Sequence, residues 1–110
     1  MSDAQVLADA RAAVVRDLGR DDPSVDVAVE HRRWWLEQWA DGAPHVLGLL
    51  AQDVQEAVHA RDPDWPVCTE PSCPAVGGHP LLVEPDLGPD PFWTCHRTGL
   101  PVAPVGGLRG

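Results

Sequence analysis

The sequence contains no lysine, isoleucine, asparagine or tyrosine, and it has one phenylalanine and one methionine. All eight basic residues are therefore arginines. Together with 17 aspartates and glutamates they give a formal net charge of -9. A protein that binds the phosphate backbone in general needs a positive surface, so this charge balance argues against it. The acidic surface suits solubility or, as a second interpretation, a basic protein partner.

Long apolar runs are also missing, since no run approaches the roughly 20 residues that span a bilayer. The first ten residues carry Asp3 and Asp9 and no basic leader, so we expect no signal peptide. Three cysteines are an odd number and cannot all pair within the chain. We therefore predict a cytoplasmic protein without a membrane segment, in which cysteines close to histidines indicate a metal site.

The composition changes at Asp62, which divides the 110 residues into two regions. Residues 63–110 hold most of the prolines and glycines and all three cysteines, so long helices are excluded there. We predict an α/β packing unit over residues 1–62 that joins residues 63–110 in one compact domain. Any disordered tail is limited to residues 106–110.

Two stretches have apolar residues at helical spacing. The first, residues 2–18, begins with Ser2 and Gln5 in the pattern of a capping box. The second, residues 43–60, has Pro44 in its first turn, where proline is favoured. Their apolar faces comprise Leu7, Ala10, Val14 and Leu18 in the first stretch, and Val46, Leu47, Leu50, Val54, Ala57 and Val58 in the second. We predict a helix for each stretch, with the second one packed on the sheet.

The stretch 25–39 has two interpretations. Val25, Val27 and Val29 alternate as in a strand, and the tryptophans that follow favour a sheet surface. We predict extended structure, either a long strand or a hairpin. The alternative is a helix capped by Ser24, whose buried side would comprise Val25, Val29, Arg32, Leu36 and Trp39.

A basic cluster of His31, Arg32 and Arg33 lies beside Trp34 and Trp35. Basic groups next to aromatic rings can stack on single-stranded nucleic acid. The interpretation that we favour is a solvated strand edge with tryptophan on its inner face.

Five potential metal ligands lie in the second region: Cys68, Cys73, His79, Cys95 and His96. Zinc is usually held by four nitrogen or sulfur donors in a tetrahedron. Because the side chains of adjacent residues diverge, Cys95 and His96 are a poor pair for one ion. We predict that Cys68, Cys73, His79 and Cys95 bind Zn²⁺, with His96 in place of His79 as the alternative.

Two segments resemble the Cys-Pro-x-Cys-Gly knuckles of zinc ribbons. They are Cys73–Gly77 and Cys95–Gly99, in which Val76 and Thr98 stand where the second cysteine would be. Their glycines remain where a knuckle needs a permissive backbone. The resemblance covers residues 65–105 and implies a zinc-ribbon-like fold for the second region.

The chain is also similar to small uncharacterised bacterial proteins with a Cys, His-Pro-Leu and Trp-x-Cys pattern. Here the matching residues are Cys68, the segment from His79 to Leu81, and the segment from Trp93 to Cys95. This similarity implies a fold and a metal, and it implies no activity.

The predicted fold class is α+β: two helices and a small β-sheet, followed by a C-terminal zinc-ribbon-like β hairpin. Short strands are expected at Pro80–Glu84, Pro91–Cys95 and Val102–Val105, between turn-rich segments.

We predict a small zinc-binding protein that acts as a non-enzymatic protein-binding or adaptor module, with a structural zinc and an unknown protein partner. The alternative is a nucleic-acid-associated regulator of transcription or RNA machinery, by analogy of fold alone. A basic patch around Arg32, Arg33 and Arg97 would favour that alternative. Metal-assisted hydrolysis would need an open ligand position and a base such as Glu70 or Glu84, so we expect no enzyme.

Overall fold

The computed structural model describes residues 1–109 and shows an α+β fold. Three α-helices are followed by a small antiparallel sheet of three strands. The elements are α1 (Asp3–Leu18), α2 (Pro23–Gln38), a 3-10 helix (Ala40–His45), α3 (Val46–Val58), β1 (Leu82–Glu84), β2 (Phe92–Thr94) and β3 (Pro101–Pro104). Within this described part, no helix is long and apolar enough to cross a membrane.

Helix α1 confirms the prediction for residues 2–18. The Ser2 hydroxyl oxygen accepts a hydrogen bond from the Gln5 backbone N–H at 3.1 Å, which satisfies one of the free donors of the first turn. At the other end, the Gly19 N–H donates to the Val15 carbonyl oxygen at 2.8 Å. The predicted apolar face is buried in full: Leu7, Ala10, Val14 and Leu18.

Helix α2 shows that the prediction of extended structure for residues 25–39 is wrong. Asp22 is the N-cap, and its carboxylate accepts a hydrogen bond from the Ser24 N–H at 3.0 Å. Val25 and Val29 are buried at helical spacing, whereas Val27 is 70% exposed. Burial against α1 and α3 therefore outweighs the strand preference of the alternating valines. The helical alternative is correct, although Asp22 caps the helix in place of Ser24. Trp39, expected on its buried side, follows the last helical residue and is 43% exposed.

The predicted helix at 43–60 is split into the 3-10 helix and α3. Pro44 lies inside the 3-10 helix, and the regular α-helix begins only at Val46. Of the six residues on the predicted apolar face, Val46, Leu50, Val54 and Val58 are fully buried, whereas Leu47 is half-buried and Ala57 is exposed. With α2 added, the fold has three α-helices, so the prediction of two is wrong.

The sheet has the order β1-β2-β3, with both neighbouring pairs antiparallel. All three predicted strands are present: β1 and β2 are each two residues shorter than expected, and β3 has the expected length but begins one residue earlier. They form a three-stranded sheet in place of the predicted hairpin. The central Trp93 pairs with Val83 on one side and Ala103 on the other. Its side chain is fully buried, which places the inner face of the sheet in the core.

The Asp17 carboxylate joins α1 to the C-terminal region, a contact that sequence reasoning missed. Asp17 is 2% exposed and accepts hydrogen bonds from the Trp93 indole N–H at 2.8 Å and the Gly106 N–H at 2.6 Å. It also accepts from the Leu108 N–H at 3.0 Å. Residues 106–108, which the sequence assigned to a possible tail, are therefore anchored; Gly110 lies outside the described residues.

Candidate metal centre

Two of the predicted ligands lie side by side on a short antiparallel ladder. The Cys68 N–H donates to the His79 carbonyl oxygen at 2.9 Å, and the Leu81 N–H donates to the Pro66 carbonyl oxygen at 2.7 Å. A bridge between Val67 and Pro80 lies between these bonds. Residues that face each other across such a pair hold their side chains close together. The ladder thus brings Cys68 and His79 together across an intervening loop.

Cys95 directly follows β2 and begins a tight turn. Its N–H donates to the Leu100 carbonyl oxygen at 3.0 Å, and its carbonyl oxygen accepts from the Gly99 N–H at 2.8 Å. Gly99 has a φ of 75°, which L-residues with a side chain rarely adopt. The segment predicted to resemble a knuckle is therefore a tight turn that begins at the thiol and ends at a positive-φ glycine.

Cys73 comes from the irregular loop between the two arms of the ladder. Its N–H donates to the Glu70 carbonyl oxygen at 3.1 Å. Gly77, at the end of the predicted knuckle Cys73–Gly77, also has a positive φ, 82°. The loop directs the Cys73 sulfur toward His79, whose Nε2 lies 3.2 Å from that sulfur.

The structure brings all four predicted ligands into one cluster. One ligand atom from each of Cys68, Cys73, His79 and Cys95 lies within 4.8 Å of the others. The Cys95 sulfur is 3.9 Å from His79 Nε2. Tetrahedral zinc, with its known bond lengths to sulfur and nitrogen, spaces neighbouring ligand atoms by about 3.5 to 3.8 Å. The Cys73 sulfur and His79 Nε2, 3.2 Å apart, are slightly closer than this spacing, and the widest separations, up to 4.8 Å, exceed it by about 1 Å. Side-chain adjustments of about an ångström would therefore let the cluster hold an ion.

The orientation of His79 suits a ligand. Its Nδ1 lies 3.1 Å from the Pro80 carbonyl oxygen, which can only accept a hydrogen bond. Nδ1 therefore carries the proton, and in the neutral ring Nε2 presents its lone pair to the thiols. A backbone carbonyl that holds the outer ring nitrogen is a common feature of metal-binding histidines.

His96, the alternative ligand, lies outside the cluster. Its side chain is exposed, and its ring meets the His79 ring edge-on with the centroids 5.0 Å apart. The geometry favours His79 over His96, as the divergence of adjacent side chains predicts.

The environments of Cys68 and Cys95 shift their pKa values in opposite directions. Burial raises the pKa of the Cys68 thiol. Hydrogen bonding from the Thr98 side chain, with the Thr98 and Arg97 backbone N–H groups, lowers the pKa of Cys95 to about 6. Thr98 stands where a zinc-ribbon knuckle would have its second cysteine. Its hydroxyl therefore stabilises the remaining sulfur as a thiolate, the form that binds metal.

Neither of the two candidate bases lies in the ligand cluster. The Glu70 carboxylate accepts hydrogen bonds from the Ser72 N–H at 3.2 Å and the Ser72 hydroxyl at 2.9 Å. Glu84 lies on the exposed face of β1. The arrangement is suited to holding an ion.

The predicted basic cluster is divided on α2. Arg32 forms two hydrogen bonds with the Asp53 carboxylate, at 2.6 and 2.9 Å, and Arg33 lies 3.3 Å from Glu30. Trp34 is 57% exposed, and its ring stacks with that of His31. The expected strand edge is therefore one turn of a helix, whose residues point in different directions, and acidic partners offset both arginines.

A family model described as "Domain of unknown function (DUF8819)" matches residues 3–105. This range runs from the start of α1 to the end of β3 and includes the four clustered ligand residues. The description names no zinc ribbon, so that resemblance stays a prediction. No curated protein and no solved structure matches the chain.

Proposed function

The chain belongs to the DUF8819 family, and we propose that it is a small protein-binding module whose C-terminal region is stabilised by a structural zinc ion. The observation that carries the proposal is the convergence of Cys68, Cys73, His79 and Cys95, with one ligand atom from each inside 4.8 Å. The four come from two arms of a ladder, the loop between them and the end of β2. Because the end of β2 is distant in sequence from the ladder, the cluster is not simply a result of short sequence separation.

The donor set supports zinc in a structural role. Three thiolates and one imidazole are a usual set for a closed tetrahedral zinc site. Catalytic zinc instead keeps a position open for water, whereas these four protein donors would leave no such position. The two predicted knuckle turns at Cys73 and Cys95 are consistent with a zinc-ribbon-like arrangement of these donors.

The C-terminal region also has a physical need for an additional stabiliser. Only five of the 18 buried hydrophobic side chains follow residue 62, and one of these is Cys95 itself. Its strands are three or four residues long, and the rest is turns. An ion that binds four points of this region adds its binding free energy to folding.

The protein-binding role rests on the surface charge. The net charge of -9 favours a basic partner and disfavours a nucleic acid. Of the three arginines that would mark a nucleic-acid surface, Arg32 and Arg33 have acidic partners. Salt-dependent binding to DNA or RNA would favour the alternative of a nucleic-acid-associated regulator.

The test of the metal site is elemental analysis of purified protein, with a pair of histidine variants. We expect one zinc per chain in the wild type and in His96→Ala, and a large loss of zinc in His79→Ala. The two histidines are neighbours in space, so the pair separates ligation from local packing. Cys95→Ser should also lose the metal.

Metal-free wild-type protein that is fully folded would reject the proposal. So would zinc that survives His79→Ala and is lost in His96→Ala. Stoichiometric iron in place of zinc would keep the ligand set and change the identity of the ion.

A further inference from the structure

An open apolar groove crosses the surface on the side of α1. It consists of two adjoining cavities of about 470 and 400 Å³ that share Leu47 and Pro89 as lining residues. The first cavity lies between α1 and the start of α3, and the second extends to Phe92 on β2 and Pro104 on β3. We call these two cavities together the α1 groove.

The α1 groove arises because α1 is apolar beyond its core face. Val6, Ala10 and Ala13 line the first cavity beside the buried leucines and valines of the same helix. Leu47 and the exposed Pro44 form the opposite wall. The alanines are too short to reach that wall, so the space between the two elements stays open.

The charged side chains of the α1 groove are both acidic. They are Asp9 and Asp90, which are exposed; Met1, with its backbone amino group, also lines the first cavity. Arg16 lies further along α1, and its guanidinium donates to the Gly106 carbonyl oxygen at 2.9 Å. A partner must therefore offer apolar side chains to the floor and positive charge to the rim.

We propose that the α1 groove binds one amphipathic helix of a protein partner, with lysine or arginine flanking its apolar face. An apolar cleft between two elements is the usual site for a helix whose anchors recur every three to four residues. A second copy of this chain is a poor occupant, because both copies carry a charge of -9 and repel each other. The inference rests on the proposed protein-binding function and does not depend on the zinc.

The test uses isotope-labelled, metal-loaded protein and two synthetic helical peptides of about 18 residues, long enough to present several turns. Both peptides carry the same leucine face, and their polar faces are lysine in one and glutamate in the other. We expect saturable amide shifts at Val6, Ala13 and Leu47 with the lysine peptide. The glutamate peptide should bind at least about tenfold more weakly, since its charge repels the rim.

Charge reversal on the protein supplies the matched control. Asp9→Arg combined with Asp90→Arg should weaken binding of the lysine peptide about tenfold. Glu37→Arg combined with Glu56→Arg makes the same change of charge at exposed helix positions outside the α1 groove and should leave specific binding at the groove in place. If the first double variant does not fold, Pro89→Arg on an exposed loop replaces it.

Four results would overturn the inference: no saturable shifts, equal binding of both peptides, shifts centred on Trp34, or concentration-dependent shifts at the α1 groove without peptide. The last would identify a second copy as the occupant. Zinc content is measured in every sample. Wild-type protein that is purified without zinc, is fully folded and binds the peptide would overturn the zinc proposal and keep the α1 groove. Zinc-loaded protein without saturable shifts would do the opposite.

Discussion

The helical region, residues 1–62, and the proline-rich region, residues 63–109, are held together by different physical means. Thirteen of the 18 buried hydrophobic side chains belong to the first region and five to the second. The helices satisfy their own backbone groups and pack through apolar faces. The second region has short strands and turns, and its most distinctive feature is the cluster of three thiols and an imidazole. The region with fewer buried apolar side chains is thus the one that contains the cluster of possible metal ligands.

The two regions meet at Trp93 and Asp17. The Trp93 ring is fully buried, packs edge-on against Trp65 with the centroids 5.5 Å apart, and donates to the Asp17 carboxylate. Because of this junction, we expect the two regions to unfold as one cooperative unit.

The largest expected effect is at this junction. Trp93→Ala should lower the free energy of unfolding by about 3 to 5 kcal/mol, because it leaves a cavity in the shared core. Urea unfolding followed by circular dichroism at the helix wavelength and by the remaining tryptophans measures the loss. We expect both signals to move together; a loss confined to one region would show that the two fold independently.

The second-largest effect is expected when the polar part of the junction, the Asp17 carboxylate, is removed. Asp17→Ala leaves the N–H groups of Trp93, Gly106 and Leu108 without their acceptor. Unpaired buried donors are costly, so we expect a loss of about 2 to 4 kcal/mol. The control is Asp9→Ala on the exposed side of α1, which should change the stability little. Equal effects of the two variants in urea unfolding would contradict this role of Asp17.

A smaller effect is expected from a substitution in the proline-rich region. Gly99 has a φ of 75° and open space around its Cα, so Gly99→Ala costs only the unfavourable backbone conformation. We expect a loss of about 1 to 2 kcal/mol, together with weaker zinc retention in a chelator competition. Gly78→Ala, at a glycine without a positive φ, is the control. No difference between the two variants would argue against the predicted knuckle turn.

The smallest effect is a pH dependence in the helical region. The Arg61 guanidinium, with the Ser24 hydroxyl and N–H, holds the pKa of Asp22 well below its usual range. A carboxylate with a lowered folded-state pKa contributes stability above its unfolded pKa, and that contribution is lost as the pH falls toward the folded-state value. Thermal unfolding measured from pH 6 to pH 2 should show a smaller acid-induced loss for Asp22→Asn than for wild type. Parallel curves would reject the assignment.

The sequence predicts these two regions unequally well. Helix α1 was predictable because its cap and its apolar face are both local. Helix α2 was missed because three alternating valines and a run of tryptophans favour a strand locally, and the neighbouring helices decide the outcome. The contact between Asp17 and Trp93 could not be predicted, because the two residues are 76 positions apart and the sequence around Asp17 has no feature that indicates a buried carboxylate.

The ligand cluster was predictable for a different reason. The residue types that bind zinc and their spacing are visible in the sequence itself. Gly77 and Gly99, which follow Cys73 and Cys95, also indicate where the chain turns near these thiols. The same pattern left His96 open as an alternative to His79. The ladder that pairs His79 with Cys68 places His79 in the cluster. The order of the three strands and the α1 groove depend on tertiary packing and have no local signal.

Hydrogen exchange of metal-loaded and chelated protein tests the contrast between the two regions most directly. If a metal ion stabilises the proline-rich region, chelation should speed exchange most at the amides of residues 66–81 and 95–100, while the amides of α3 remain the best protected. Identical exchange in loaded and chelated protein would contradict the account, because these segments would then be stable without an ion.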